Sequence, residues 1–142
     1  MTDDEFKQVQ CFTRKEIEAT GAKLADVQLS LFLRMDKFRK LLNRRVRLLN
    51  NGLTTGNHKS IEHSQGKACD CYLDPRDGKT DFYFVFKCAI DAGFNKIGIY
   101  WNGSVYSFHL ASAPKSAFWS ATKGKTGEPW KFASLILDPA QK

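Results

Sequence analysis

Three side chains carry the chemistry this sequence offers. His63 is followed seven residues later by Asp70, with Gly66 and Ala68 between them, and His109 stands far downstream. Two imidazoles and one carboxylate, with a fourth position left open, form the donor set of a catalytic zinc site. There a bound water is acidified and a carbonyl is polarised. Gly66 lets the backbone turn closely, and Ala68 leaves room beside a neighbouring element. If a strand begins near Ala68, then Ala68 and Asp70 share one of its faces. Such trios also arise by chance, so spacing alone fits three unrelated residues equally well.

The elements that must position this trio can be read from periodicity and turn chemistry. Asn102-Gly103 between Lys96–Trp101 and Ser104–His109 predicts a β-hairpin with a two-residue turn. In that register Trp101 faces Ser104, Tyr100 faces Val105, Ile99 faces Tyr106 and Gly98 faces Ser107. One face then carries Ile97, Ile99, Trp101, Tyr106 and Phe108 for packing. The other carries Gly98, Tyr100, Val105, Ser107 and His109, a small, polar floor around one histidine. Upstream, Thr13-Arg-Lys-Glu16 has the capping-box pattern and opens a short helix that should stop near Gly21. Leu24, Val27, Leu31, Met35, Phe38 and Leu42 recur at helical steps, predicting one longer helix. Val46–Leu49 and Ala68–Leu73 read as strands, Asn50–Lys59 as a polar loop and Asp74–Gly78 as a turn. Asp81–Ala92 reads as a helix ending at Gly93, and the stretch from Ala113 as mostly loop with one late strand or helix.

Other residues invite functional readings that bland ones outweigh. His58 could join a metal, but a histidine in a polar loop is ordinarily solvated. Tyr100 could hydrogen-bond substrate, Ser107 shares its face, and Trp119 and Trp130 could line a groove, although core packing is the commoner fate of tryptophan. Gly124-Lys-Thr126 lacks the upstream spacing of a phosphate loop. Cys69 and Cys71 lie on one strand face, poorly placed for a mutual disulfide, and lack a second Cys knuckle for zinc. They read with Cys11 and Cys88 as reduced structural thiols.

The 142 residues, 42% hydrophobic and 26% charged, suffice for one core, so a single domain over 1–142 is expected. This composition excludes collagen-like, disordered and disulfide-scaffold classes. No stretch reaches the roughly 18 apolar residues of a membrane span. The acidic start Met1-Thr2-Asp3-Asp4-Glu5 lacks a signal-peptide layout, so synthesis in the cytoplasm is expected. The net charge of +7 favours polyanionic partners such as nucleic acid, anionic lipid or acidic wall polymers. Its denser block, Arg34–Arg47, reads as a solvated helix face running into a strand.

His63-x2-Gly66-x-Ala68-x-Asp70 resembles the signature of the D-alanyl-D-alanine carboxypeptidase family of zinc peptidases, which shares a fold with lysostaphin-type and hedgehog domains. Phe12-Thr-x2-Glu16, the run Ala92–Tyr100, and Phe108-His109 followed by Trp119 resemble that family's other segments. The resemblance implies an α+β fold, with N-terminal helices on a small, mainly antiparallel sheet, and zinc held by His63, Asp70 and His109. It implies hydrolysis of D-residue peptide bonds in bacterial peptidoglycan, as in a phage lysin reaching the wall by holin release or as a virion component. The chain departs from the family at three places. Ile61 stands where a serine is usual, with Ser60 one place early. Gly52-Leu-Thr54 replaces the segment that supplies a substrate-facing arginine. Tyr106, Ser107 and Ala111 stand where an acidic or histidine partner is usual, leaving Glu62 as the nearest candidate base. A catalytically silent metal-binding domain is the alternative expectation, and a nucleic-acid-binding module has only the net charge behind it.

Overall fold

A computed structural model describes residues 1–76, 79–123 and 128–134. Its centre is a six-stranded sheet of order β1-β2-β4-β3-β5-β6. The strands are β1 (Arg45–Leu48), β2 (Ala68–Asp74), β3 (Lys96–Trp101), β4 (Tyr106–Ala111), β5 (Ala117–Thr122) and β6 (Lys131–Ser134). All pairings are antiparallel except β3 with β5. The α+β class and the mainly antiparallel sheet therefore stand as expected. Among the described residues no helix is long and apolar enough to cross a membrane.

Strand alternation divides the sheet into two faces. Cys69, Cys71, Ile97, Phe108 and Leu110 are buried with Phe32, Met35 and Phe38, and this side is the hydrophobic core. Asp70, Tyr100, Ser107, His109 and Trp119 face a cavity instead. All four cysteines are free, and burial in the core pushes the Cys88 thiol up, away from the reactive thiolate.

The helices cover the core face. Thr2 caps α1 (Asp3–Phe6) in a full capping box with Glu5, an element the sequence reading overlooked. At α2 (Arg14–Ala19) only half of the expected box forms: Thr13 Oγ1 accepts from the Glu16 amide and also donates to its carboxylate. The single long helix expected from Leu24 to Leu42 is two elements, a 3-10 turn at Leu24–Asp26 and α3 (Leu29–Leu42). Extended backbone at Val27 and Gln28 interrupts it, because the Gln28 amide donates to the Gly66 carbonyl. The apolar stripe survives the break, with all six of its residues buried. Gly66 has φ +70°, and a Cβ there would lie 2.2 Å from the Asp26 carbonyl oxygen, so only glycine permits this docking. Helix α5 (Phe82–Asp91), capped by Asp81, falls within the expected span Asp81–Ala92 and packs on α3, and Phe38 of α3 meets Phe94 just past the end of α5.

Three further expectations need correction. The hairpin register is shifted by two, pairing Trp101 with Tyr106 and Gly98 with His109. Asn102 Oδ1 accepts from the Ser104 and Val105 amides and closes a longer loop over 102–105 in place of the two-residue turn. Because strand side chains alternate with period two, the shift leaves His109, Tyr100 and Ser107 on the expected face, and only Val105 leaves it. The stretch from Ala113 holds two strands, β5 and β6, which extend the sheet beyond β3. The phosphate-loop-like segment at 124–126 and the end of the turn at 77–78 lie outside the described residues.

Candidate metal centre

Two short segments bring the site together. Ser60 caps α4 (Ile61–Ser64), a single helical turn where the sequence suggested loop, and this turn points His63 into the interior. Strand β2 places Asp70 beside His109 of β4 as a direct cross-strand pair. The Asp70 amide donates to the Gly52 carbonyl and the Asp70 carbonyl accepts from the Leu49 amide, which clamps the 49–58 loop against the strand. That loop supplies carbonyls to the imidazoles. Leu53 O lies 2.7 Å from His63 Nδ1, while Asn51 O and Thr55 O each lie 2.7 Å from His58 Nε2. A carbonyl can only accept, so those nitrogens carry protons, and the other ring nitrogens, His63 Nε2 and His58 Nδ1, are the ones turned toward the site.

Both of these nitrogens face Asp70. His63 Nε2 lies 3.3 Å from Asp70 Oδ1, and His58 Nδ1 lies 3.7 Å from Oδ2. The ligand atoms of His58, His63 and Asp70 all fall within 4.8 Å of one another, a cluster that could hold a metal ion. His109 Nδ1 joins it at 3.0 Å from Asp70 Oδ1 and 3.2 Å from His63 Nε2. His58, read from sequence as a solvated loop residue, is instead stacked on His63, with ring centroids 3.6 Å apart and planes inclined by 14°. Nothing in its local pattern marked it, since a polar loop has no period that reports which side chain turns inward.

The electrostatics favour a cation. Burial pushes the Asp70 carboxyl up, but hydrogen bonds and charge from His109 and His63 outweigh it and hold the group at about 2. His109 Nε2 is buried with no hydrogen-bond partner among the described residues, and its ring centroid lies 5.2 Å from that of Trp119. An unsatisfied buried nitrogen is costly, and natural folds retain few of them outside functional sites. The donor atoms of His58, His63 and Asp70, with His109 Nδ1 beside them, could hold a metal ion.

Glu62 stands elsewhere. Both of its oxygens lie within hydrogen-bonding distance of Lys96 Nζ, at 3.0 and 2.9 Å, and one also accepts from Ser60 Oγ. Burial raises the Glu62 carboxyl, but Ser60 and Lys96 outweigh that and hold it at about 2. It contributes no wall to the cavity, whose only carboxylate among the described residues is Asp70. Its ion pair accounts for both oxygens, which is poor standing for a base.

The cavity, about 820 Å³, opens over this cluster. Its floor follows the sheet register: Asp70, His109, Gly98, Trp119 and Ser134 pair successively across five strands. A Cβ on Gly98 would come within 2.4 Å of the Trp119 ring, so the glycine lets the indole lie flat over β3. Trp119 Nε1 donates to Tyr100 Oη at 2.9 Å, and burial raises the Tyr100 phenol, keeping it protonated. Ser107 and Trp130 also line the wall, so the tryptophans are half-buried groove residues and the expectation of core packing is corrected. Comparison with protein-family models, curated proteins and solved structures found no match to this chain.

Proposed function

We propose that this chain is a zinc-dependent peptidase that hydrolyses D-residue peptide bonds of bacterial peptidoglycan. One observation carries the metal assignment: His63 Nε2, Asp70 Oδ1 and His109 Nδ1 form a triangle with sides of 3.0, 3.2 and 3.3 Å. Three ligands of a tetrahedral ion at about 2.0 Å stand roughly 3.3 Å apart, so the donors already occupy three corners. His58 is excluded from the same ion by its stacking. Nearly parallel stacked rings direct their in-plane lone pairs along separate planes, so His63 and His58 would not share one ion. The family resemblance of His63-x2-Gly66-x-Ala68-x-Asp70 and the cavity above it support the substrate class.

When bound, zinc would acidify a water and polarise the scissile carbonyl. The protein's own contributions follow from the geometry. The Leu53 carbonyl fixes the ring of His63, and Asp70 balances charge beside both imidazoles. Tyr100, whose oxygen already accepts from Trp119, keeps its own proton to donate toward a developing oxyanion in the cavity. His58 Nδ1 stands beside the cluster, 3.7 Å from Asp70 Oδ2 and outside the proposed ligand set, placed to exchange a proton there. The test is mass spectrometry of peptidoglycan fragments incubated with zinc-loaded protein and with His63→Ala. New peptide termini made only by the wild type are expected; intact fragments across several wall chemistries would refute the activity.

A silent metal-binding domain is the second reading. It is favoured by the ion-paired state of Glu62 and by the lack of a second carboxylate in the described cavity wall. Zinc retained at full stoichiometry without hydrolysis would establish it.

A further inference from the structure

We propose that the cavity is an extended groove whose far end, at Tyr100, Trp130 and Phe132, holds a sugar ring of a glycan-linked peptide. The inference rests on the peptidase reading and adds a glycan subsite to it. The sheet register provides the groove. One row runs Asp70, His109, Gly98, Trp119; the next runs Ser107, Tyr100, Ala121, Phe132. Gly98 lies under the Trp119 ring, so the aromatic side chains form the surface of the groove. The rings of Tyr100, Trp130 and Phe132 stand together in the cavity wall and give it an aromatic end besides the His–Asp cluster.

The far end differs in chemistry from the metal end. Trp130 and Phe132 meet Tyr100 edge-on, at 5.2 and 6.4 Å and close to perpendicular, and Phe132 is 55% exposed. Each outer ring has an ammonium beside its face: Lys123 is 5.3 Å from the Trp130 centroid and Lys59 is 5.6 Å from that of Phe132. Such exposed cation–aromatic contacts are weak and readily rearranged. An aromatic face flanked by N–H donors suits a pyranose, which presents C–H groups on one side and hydroxyls around its rim. The ammonium groups can donate to the sugar's hydroxyl and acetamido oxygens. An apolar peptide side chain would instead strip water from two ammonium groups without replacing their hydrogen bonds.

The test uses the metal-free full chain and two probes: an N-acetylglucosaminyl-N-acetylmuramyl tetrapeptide and the same tetrapeptide without the disaccharide. Titration calorimetry should find the glycan-linked probe bound about tenfold more tightly. Trp130→Ala and Phe132→Ala should remove that gain while leaving the affinity for the bare peptide unchanged. Trp130→Phe, which keeps a ring, should preserve most of it, and thermal melts check that each variant is folded. Equal affinities of the wild type for both probes, no binding of either, or a gain that survives both alanine variants would overturn the subsite. Failure of the zinc-loaded chain to cleave either probe would count against the peptidase reading instead, and the binding difference is judged independently of it.

Discussion

Glu62 and Asp70 are two carboxylates held at about 2 by opposite designs. Glu62 is closed: an ammonium and a hydroxyl answer its oxygens, and the local chemistry is complete. Asp70 is open: it faces imidazole nitrogens from three segments, and a buried nitrogen of His109 remains unanswered. The first arrangement is that of a structural pin beside the site. The second is a cluster of donors that could hold a cation. A depressed carboxyl pKa therefore does not identify function; the state of its partners does.

The largest expected effect would break the open side. His63→Ala and His109→Ala should each lower zinc affinity by at least about 100-fold, measured by competition with a chelating dye, whereas Cys69→Ser on the core face should retain it. Full zinc stoichiometry in both histidine variants would show that Asp70 is as closed as Glu62. Next, Lys96→Met should cost about 2–4 kcal/mol in urea unfolding by leaving the buried Glu62 unanswered, while Glu62→Gln combined with Lys96→Met should recover part of the loss. Gly98→Ala should cost about 1–3 kcal/mol by displacing Trp119, with a shifted tryptophan emission and little change at Glu62.

Acid separates the two carboxylates more gently. Glu62 has its folded pKa depressed from 4.5 to about 2, so the stabilisation is present above 4.5 and is lost as pH falls toward 2. Zinc should leave earlier in an acid titration, because protons compete directly for imidazole nitrogens. Zinc release and loss of stability in one coincident step would dissolve the distinction. The smallest effect belongs to the exposed Arg47–Asp74 pair at 3.2 Å, where Arg47→Ala should change stability by no more than about 0.5 kcal/mol.

Legibility of the sequence followed the range of each interaction. The apolar stripe from Leu24 to Leu42 and the alternation around His109 are local patterns, and each predicted where its side chains would lie. The shifted hairpin shows why such readings are robust: a two-residue slip changes the loop but not the face. The break at Val27 was not legible, because it depends on a hydrogen bond to Gly66, distant in the chain. Local propensity could not anticipate that partner.

The residue types and the spacing of His63, Gly66, Ala68 and Asp70 were enough to nominate a donor set, and strand period was enough to put His109 and Tyr100 on one floor. Only the tertiary structure decided that His58 stacks on His63, that Glu62 is spent on Lys96, and that Trp119 lies over Gly98 beside His109. The physical reason is that a side chain's type and period determine what it can offer and which way it points. What it meets depends on packing between segments far apart in the chain, and no local pattern encodes that.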